Sequence, residues 1–536
     1  MITNPILPGF NPDPSILRVK EYYYIAVSSF EWFPGIPIYR SKDLKNWELL
    51  THVITRRNQA DIIGLGSAMG VWAPSLSYNS NTGKYYVSYS VVRGCNHYFD
   101  VDNYYAETDN IAGQWSDAIY INSSGFDPSL FHDTDGSTYV VNLEWEFREG
   151  YEHPGAIVLQ KFNLETRQLE GEVKQISRGA TDRGCIEGPN IYKKGEYYYL
   201  VLAEGGTGYG HCVTVSRATN IFGPYESYVN NPIITSQPID FNERGVGDSA
   251  KPWRYYDGSF LQKTGHGSIV ETVDGEVYVA HLCSRPYTPE LRSVLGREAG
   301  IQKCEWTDDG WIRLKSKDNM AKLEVEELNN IDTDNLEIDC LENSLQSTWY
   351  TLREPICDSW AKVENDTITL RGRESLFSNY NQSLLAKKVR GFHASTSVKV
   401  EFIPDNFLQM AGLVNYYNSS AFYYFRIYYS ESLGGIALGV MKSEQGMKEE
   451  YKEYRVLLED YQGSVFLKSE VIEKVIKFYY SIDGNEWIDM KLELDSTILS
   501  DECAQGFTGS MVGITAQDLY TKSKKVVFSR FHTSNM

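Results

Sequence analysis

The sequence predicts an all-β protein in which a five-bladed β-propeller is followed by a β-sandwich. The first observation is a tetrapeptide pattern that begins Asp13-Pro14-Ser15-Ile16 and returns four more times in the first half of the chain. Each copy precedes a run of aromatic or β-branched residues, such as Tyr22–Ile25. A repeat of about 50 to 80 residues built from short strands is typical of radially repeated β-folds, and five copies indicate five blades.

The second observation is that strand patterns continue after the repeats end, without the tetrapeptide. Residues 395–402 and 421–429 alternate between apolar and polar side chains, and Ile482-Asp483-Gly484-Asn485 resembles a hairpin turn. Alternating strands of this kind predict an antiparallel sandwich of about 200 residues. We therefore expect a propeller over residues 1–315, a charged linker over 316–330 and a sandwich over 331–536.

The five copies of the tetrapeptide differ in their first residue. The later copies read Ala73-Pro74-Ser75-Leu76, Asp127-Pro128-Ser129-Leu130, Gly188-Pro189-Asn190-Ile191 and His266-Gly267-Ser268-Ile269. In a propeller the innermost strand of each blade starts near the channel mouth, so these first residues should ring one opening. Trp72 and Glu187 each precede their repeat position by one residue. Three carboxyl groups from distant parts of the chain, on Asp13, Asp127 and Glu187, are therefore expected to converge.

A purely structural role is the alternative for each aspartate, because the Asp of an Asp-Pro-Ser turn commonly caps a backbone turn. Three acids on one rim are harder to explain in this way. Like charges raise each other's pKa, and perturbed acids cluster at functional sites.

Two carboxyl groups that flank a sugar linkage are the minimum machinery of glycoside hydrolysis. One must be protonated to release the leaving oxygen, and the other must be ionised to act as nucleophile or to activate water. Glu187 lies between Ile186 and Gly188-Pro189, and a partly apolar setting with Asp127 as its charged neighbour would keep it protonated near neutral pH. We assign Glu187 as general acid, Asp13 as general base and Asp127 as modulator of the acid's pKa.

Composition limits the class of partner. The net charge of −20 argues against nucleic acid or an anionic membrane and suits a neutral substrate. The N-terminus has no signal-peptide pattern, no run of 18 apolar residues occurs, and the eight cysteines are scattered without a CxxC pair. Reduced thiols in a cytoplasmic protein are the expectation.

A family resemblance emerges from motifs in order along the chain. They are Gly9-Phe10-Asn11-Pro12-Asp13-Pro14-Ser15, Ser29-Phe30-Glu31-Trp32-Phe33-Pro34-Gly35, Val71-Trp72-Ala73-Pro74, Gly125-Phe126-Asp127-Pro128-Ser129, Ile186-Glu187-Gly188-Pro189, Gly205-Gly206-Thr207-Gly208-Tyr209-Gly210-His211, Leu295-Gly296-Arg297-Glu298, Gly372-Arg373-Glu374-Ser375-Leu376, Asn381-Gln382-Ser383-Leu384 and Gly506-Phe507-Thr508-Gly509. Together they span nearly the whole chain. The sequence resembles glycoside hydrolase family 43, in particular its two-domain β-xylosidase branch.

The resemblance implies a five-bladed propeller followed by a concanavalin-like sandwich, and hydrolysis with inversion of the anomeric configuration. The base, modulator and acid of the family fall on Asp13, Asp127 and Glu187, in agreement with the assignment from the repeat. An inverting enzyme holds its base and acid about 6.5–9.5 Å apart to admit water. The branch releases single xylose units from the non-reducing end of β-1,4-xylo-oligosaccharides, and a homo-oligomer, dimer or tetramer, is implied.

Similarity also places further residues around the sugar: Phe30, Trp72, Thr207, His266 and Arg297, with Phe507 brought from the sandwich to the pocket wall. Phe30 and Trp72 have the alternative of being ordinary core residues. Arg297 is either a surface charge or an arginine that holds the carboxylates ionised and bonds to sugar hydroxyls. His266 is either a satisfied polar residue or, as in some relatives, the ligand of a single divalent cation such as Ca²⁺. One histidine is weak evidence for a metal, so no cofactor is expected to be required.

Three functions remain open from the sequence. The leading hypothesis is an exo-acting β-1,4-xylosidase with α-L-arabinofuranosidase side activity. The nearest alternative is a dedicated α-L-arabinofuranosidase, because the two sugars present similar hydroxyls. A propeller that binds sugar without catalysis is the alternative from another class.

Overall fold

Five antiparallel sheets form the first part of the molecule, which confirms the predicted propeller. The structure is a computed structural model that describes residues 1–95, 98–151, 155–241, 254–328 and 348–535. Four of the sheets have four strands, and the fourth sheet in chain order has five. Each blade is built from one stretch of chain, although the strand Trp32–Phe33 within the first of them pairs outside its blade.

The strands of the blades are given from the channel outwards. Blade 1 contains Ser15–Val19, Tyr22–Ala26, Gly35–Ser41 and Glu48–Ile54. Blade 2 contains Gly70–Asn79, Lys84–Cys95, Phe99–Thr108 and Ile119–Asn122. Blade 3 contains Ser129–His132, Thr138–Trp145, Gly155–Asn163 and Gln168–Ser177. Blade 4 contains Glu187–Lys194, Tyr197–Glu204, Cys212–Ala218 and Glu226–Ser227, with Ile234–Thr235 also paired to Cys212–Ala218. Blade 5 contains Gln262–Glu271, Val277–Ser284, Glu298–Trp306 and Ile312–Leu314.

The serine of the tetrapeptide ties neighbouring blades together. Ser15 Oγ accepts the amide N–H of Leu76 at 2.9 Å, which joins blade 1 to blade 2. Ser268 Oγ accepts the amide N–H of Ile16 at 3.0 Å, which joins blade 5 back to blade 1. Ser15 and Ser268 thus satisfy backbone donors of the neighbouring blade in the buried channel wall.

The segment that the sequence indicates as a linker, residues 316–330, is in part a piece of the propeller. Glu324–Val325 forms a two-stranded sheet with Ile2–Thr3, and Asn319 Nδ2 donates to the Gln237 carbonyl at 3.1 Å. Most charged residues of this segment lie on the outer surface. The segment pairs with the N-terminus in spite of its low strand propensity. The remainder of the linker and residues 331–347, where the second domain was predicted to start, lie outside the described residues.

Two facing seven-stranded sheets form the second domain and confirm the predicted sandwich. In spatial order, one contains Ala361–Glu364, Thr367–Arg371, Lys525–Asn535, His393–Glu401, Ser464–Ile472, Val475–Ser481 and Ile488–Asp495. The other contains Ser383–Lys388, Met511–Asp518, Gln409–Asn418, Ala421–Ser430, Gly435–Glu444 and Met447–Glu450, with Val456–Leu457 paired to Gly435–Glu444. The alternation read from 395–402 is visible in His393–Glu401, where buried and half-buried residues alternate.

Among the residues that the structure describes, the named helical elements are short turns of the sandwich domain. They are the 3₁₀ turns Lys452–Tyr454 and Ser496–Ile498 and the α-helical turn Asp501–Ala504. Within the described ranges, no helix has the length and apolar character needed to cross a membrane.

The propeller and the sandwich pack against each other through strand pairing and apolar contacts. Trp32–Phe33 pairs antiparallel with Thr351–Leu352. The Trp32 ring meets the Tyr416 ring edge-on at 5.9 Å between centroids, and both rings are fully buried. This interface brings the turn that follows Asp501–Ala504 to the mouth of the propeller channel.

Candidate active site

The first residues of the five tetrapeptide copies share one backbone conformation. The φ angles are 54° at Asp13, 39° at Ala73, 55° at Asp127, 59° at Gly188 and 52° at His266. This left-handed region is rare for residues with a side chain and persists only where the surrounding fold requires it. Each of these five residues lies within an innermost strand or just before it. Four of them, all except Gly188, line one cavity.

A cavity of about 310 Å³ opens at this end of the channel. It is lined by Asp13, Phe30, Ser67, Ala68, Met69, Trp72, Ala73, Cys95, Phe126, Asp127, Glu187, Thr207, His266, Gln505, Gly506 and Phe507. Beneath it the channel narrows to a space of about 10 Å³ among the tetrapeptide residues, which include Pro14, Pro74, Pro128 and Pro189. That space is about the size of one water molecule, so the cavity is closed at its base to a sugar.

Asp13 is buried and is held by a residue of its own blade. Ser28 Oγ donates to Asp13 Oδ2 at 2.6 Å and accepts the amide N–H of Ala73 at 2.7 Å. The other oxygen, Oδ1, lies 3.7 Å from His266 Nδ1. One carboxylate oxygen is therefore anchored, while the second faces His266.

Asp127 is held between blades 3 and 4. Its Oδ2 accepts the amide N–H of Gly188 at 2.9 Å, and its own amide N–H donates to Ser90 Oγ at 3.1 Å. Burial raises the pKa of Asp127, His266 opposes this, and the charges of Glu187 and Asp13 raise it further. The bond from Gly188 favours the ionised form of Asp127, but burial outweighs it.

Glu187 begins the innermost strand of blade 4 and is half-buried. Burial raises the pKa of its carboxyl group, and the negative charge of Asp13 raises it further. Asp127 is also a charged neighbour of Glu187, because the charge of Glu187 raises the pKa of Asp127 and this interaction is mutual. Asp13, which the propeller brings across the channel from blade 1, is a source of charge that the sequence did not indicate.

Aromatic side chains form one wall of the cavity. The ring centroids of Phe30 and Phe507 are 5.5 Å apart, and those of Phe30 and Trp72 are 6.0 Å apart. Trp72 Nε1 donates to the Ala68 carbonyl at 2.9 Å, which fixes the indole. Phe30, Trp72 and Phe507 therefore lie together at the cavity, and Phe507 comes from the sandwich.

Arg297 is buried rather than a surface charge, and it pairs with a carboxylate of the second domain. Its Nε donates to Asp501 Oδ2 at 2.8 Å, its Nη1 donates to the Thr207 carbonyl, and its guanidinium lies 4.5 Å from the Phe507 ring centroid. It is not among the residues that line the cavity, whereas Thr207 is. The guanidinium of Arg297 is thus paired with the carboxylate of Asp501 from the second domain, a partner that the sequence could not indicate.

His266 packs over Gly188 beside the two aspartates. A Cβ built on Gly188 would lie 3.0 Å from His266 Cε1, so glycine at the fourth repeat position makes room for the imidazole. Among the described ranges, no group of three or more His, Cys, Asp or Glu side chains is arranged to hold a metal ion. A single imidazole is weak evidence for a metal site.

Sequence reasoning missed several residues of the site. Ser28, which orients Asp13, and Met69 and Gln505, which line the cavity, carry no distinctive motif. Asp501 had one local signal, because Ser500 caps the following helical turn through its side chain. That signal predicts a helix start and reveals nothing of the arginine it faces in the other domain.

The site defines a class of enzyme. Three carboxyl groups meet at the base of an aromatic-walled cavity, and burial raises the pKa of two of them, Asp127 and Glu187. This is the arrangement with which glycoside hydrolases protonate a leaving oxygen and activate water.

Comparison with known proteins agrees with this class. The model of "Glycosyl hydrolases family 43" matches residues 2–312, and that of the "Beta xylosidase C-terminal Concanavalin A-like domain" matches residues 339–534. The chain belongs to glycosyl hydrolase family 43.

Relatives match over nearly the full length. Xylosidase/arabinosidase 43B of Humicola insolens is 39% identical, with 99% of this chain and 97% of that protein covered. Beta-xylosidase of Bacillus subtilis (strain 168) is 39% identical, with 96% of each chain covered. The crystal structure of a xylan beta-1,4-xylosidase from Bacillus halodurans C-125 superposes with a TM-score of 0.92 at 39% identity, with 100% of both chains covered.

Proposed function

We propose that the protein is an exo-acting, inverting β-xylosidase that releases xylose from the non-reducing end of β-1,4-xylo-oligosaccharides. The observation that carries this proposal is the closed cavity with three carboxyl groups at its base. A chain end can enter such a cavity, whereas the middle of a polymer cannot pass through it. The names of the relatives from Bacillus subtilis and Bacillus halodurans support xylose as the sugar.

In the proposed reaction Glu187 donates its proton to the glycosidic oxygen, and the bond from that oxygen to the anomeric carbon breaks. A water molecule attacks the same carbon from the opposite face, and Asp13 accepts a proton from it. The β-linkage is thereby converted to α-xylose, and the shortened oligosaccharide leaves with a new hydroxyl group. The anchoring of Asp13 by Ser28 would hold the base in position for that water.

Asp127 serves to set the protonation of the acid. The amide of Gly188 favours the ionised form of Asp127, and a charge on Asp127 favours the protonated form of Glu187. The proton is then left on Glu187, where the reaction needs it. In this role Asp127 touches no reacting atom.

The remaining residues recognise the sugar. Phe30, Trp72 and Phe507 offer apolar faces to the pyranose ring, and His266 offers a ring nitrogen to its hydroxyls. Arg297 positions two residues of the cavity wall, since it donates to the Thr207 carbonyl and lies against the Phe507 ring.

The experiment that tests the proposal is product analysis with anomeric NMR. Xylobiose should first yield α-xylose, and xylohexaose should yield xylose before any other short product. Initial release of β-xylose would contradict inversion. Early xylotriose or xylotetraose, with no xylose, would contradict exo action.

α-L-Arabinofuranosidase activity is a second candidate, favoured by the name of the relative from Humicola insolens. A furanoside in the same cavity would use the same acid and base. The ratio of kcat/KM on the nitrophenyl β-xyloside and α-L-arabinofuranoside separates a xylosidase with a side activity from a dedicated arabinofuranosidase.

Further proposals rest on the sequence and the family. They are a cytoplasmic location, a homo-oligomeric state and a reaction without a required cofactor. The alternative to a reaction without a cofactor is a single divalent cation on the channel side of His266. Activity measured after EDTA treatment and again after addition of Ca²⁺ tests this alternative. Light scattering measures the oligomeric state.

A further inference from the structure

Two exposed aromatic side chains meet at the edge of the propeller. Tyr98 lies just before the third strand of blade 2, and Phe147 follows the second strand of blade 3. They are 65% and 53% exposed, and their ring centroids are 5.0 Å apart. Large apolar side chains that pair with each other yet remain open to solvent often mark a binding surface. We call Tyr98 and Phe147 the rim pair.

The rim pair is continuous with the aromatic wall of the cavity. Phe99, next to Tyr98, has its ring centroid 4.2 Å from that of Trp145. Phe99 also lies 4.9 Å from Phe126 and 6.1 Å from Trp72, both of which line the cavity. Aromatic rings therefore extend from the cavity through Phe99 and Trp145, which stand one position after Tyr98 and two positions before Phe147 in the chain.

The volume of the cavity explains why a longer substrate needs such a surface. At about 310 Å³ it is at the lower end of the 300–1,000 Å³ range of ligand sites. Its base is closed, so the non-reducing xylose must occupy the inner end and the rest of the oligosaccharide must leave through the mouth. Units beyond the cleaved linkage therefore lie outside the cavity.

We propose that the rim pair is a stacking platform for the reducing-end xylose units of substrates longer than xylobiose. This inference rests on the proposed function. Xylopyranose lacks a hydroxymethyl group, so both its faces are flat and carry C–H groups that suit the negative face of an aromatic ring. Contacts so far from the reacting carbon bind substrate and transition state alike, so they lower KM and leave kcat little affected.

The test compares kcat/KM on xylotetraose with kcat/KM on xylobiose in Tyr98→Ala, Phe147→Ala and the double variant. The ratio of the two values should fall about five-fold in the double variant, through KM of xylotetraose. Tyr98→Phe, which keeps the ring, should restore the ratio of the unmodified protein.

Tyr120→Ala is the matched control. Tyr120 is 52% exposed, contacts another ring at 5.9 Å and lies on the outermost strand of blade 2. Its replacement should leave the ratio unchanged. Thermal denaturation of each variant shows whether folding is retained.

The other outcomes overturn the proposal in distinguishable ways. An unchanged ratio in a double variant that cleaves xylobiose contradicts the platform alone. If light scattering shows that the particle mass of the double variant is half that of the unmodified protein, the rim pair is instead a contact between two copies of the chain. An unmodified protein that cleaves neither substrate contradicts the proposed function and the platform with it.

Discussion

Arg297 Nε donates to Asp501 Oδ2 at 2.8 Å across the boundary between the propeller and the sandwich. Both residues are 5% exposed. The other oxygen of Asp501 accepts the hydroxyl of Tyr417, and that hydroxyl accepts the amide N–H of Thr508 at 3.1 Å. Phe507, the neighbour of Thr508, lies under the guanidinium. One carboxylate therefore positions both the arginine and the aromatic residue that closes the cavity.

Asp501→Asn should damage both stability and activity. The substitution keeps the shape of the side chain but leaves the positive charge of Arg297 without its closest partner, and breaking a buried ion pair costs about 3 kcal/mol or more. We expect urea denaturation to show this loss and kcat/KM on xylobiose to fall about ten-fold, mainly through KM, as Phe507 and Thr207 lose their support.

Asp489→Asn is the control for this substitution. Asp489 pairs with Lys491 at 3.3 Å on the surface, with the two side chains 36% and 79% exposed. Its loss should change the free energy of unfolding by less than about 0.5 kcal/mol. If Asp501→Asn lowered stability but left KM and kcat unaltered, the carboxylate would only hold the two domains together.

Glu187→Gln should separate substrates by the quality of their leaving group. Xylobiose needs protonation of its leaving oxygen, so its kcat should fall by about 10²–10⁴-fold. Nitrophenolate leaves without full protonation, so the aryl xyloside should lose much less. Initial rates on both substrates provide the measurement, and equal losses on the two would contradict the role of Glu187 as general acid.

The same substitution should stabilise the protein at alkaline pH. Because the native pKa of Glu187 lies above the ordinary carboxyl value of 4.5, the native state retains a proton that the unfolded chain has lost. The free energy of unfolding therefore falls as pH rises through this window, and Gln removes that penalty. We expect Glu187→Gln to match the unmodified protein near pH 4.5 and to exceed its Tm by about 2 °C at pH 8.

Calorimetric scans at pH 4.5, 6 and 8 provide the measurement. A variant whose Tm difference stays constant across this range would show that the pKa of Glu187 is the same in the folded and unfolded states.

Gly188→Ala should disturb the site through His266. Both Gly188 and Gly195 have a φ of 59°, but a Cβ on Gly188 would meet the His266 ring at 3.0 Å, whereas nothing lies within 4 Å of one on Gly195. Gly195→Ala therefore carries the same backbone strain, about 1 kcal/mol, without the contact. We expect Gly188→Ala to lose at least as much stability as Gly195→Ala. We expect kcat/KM to fall several-fold only in Gly188→Ala. Equal activity in the two variants would show that His266 has room to move.

Much of the fold was predictable because it is repetitive. The tetrapeptide marks the start of each innermost strand, so Asp13, Asp127 and Glu187 could be placed on one rim without any long-range information. Alternation at period 2 located strands such as His393–Glu401 in the sandwich for the same local reason. Within the predicted linker 316–330, the pairing of Glu324–Val325 with the N-terminus could not be predicted, because the two strands lie at opposite ends of the propeller sequence.

Contacts between the domains were beyond local patterns. Arg297 and Asp501 are separated by 204 positions, and neither has a neighbour in sequence that reveals the other. Local patterns likewise do not reveal that the charge of Asp13 raises the pKa of Glu187. Which acids face each other across the channel depends on how the blades close.

By itself the sequence determined the number of blades, the acids carried by each and the family to which the chain belongs, because short-range strand and turn preferences repeat along it. Only the tertiary structure decided which partner each buried charge has: Arg297 with Asp501, Asp13 with Ser28 and His266, and Asp127 with the amide of Gly188. The physical reason is that electrostatic energies depend on distance and burial, and both are set by packing between segments far apart in the chain.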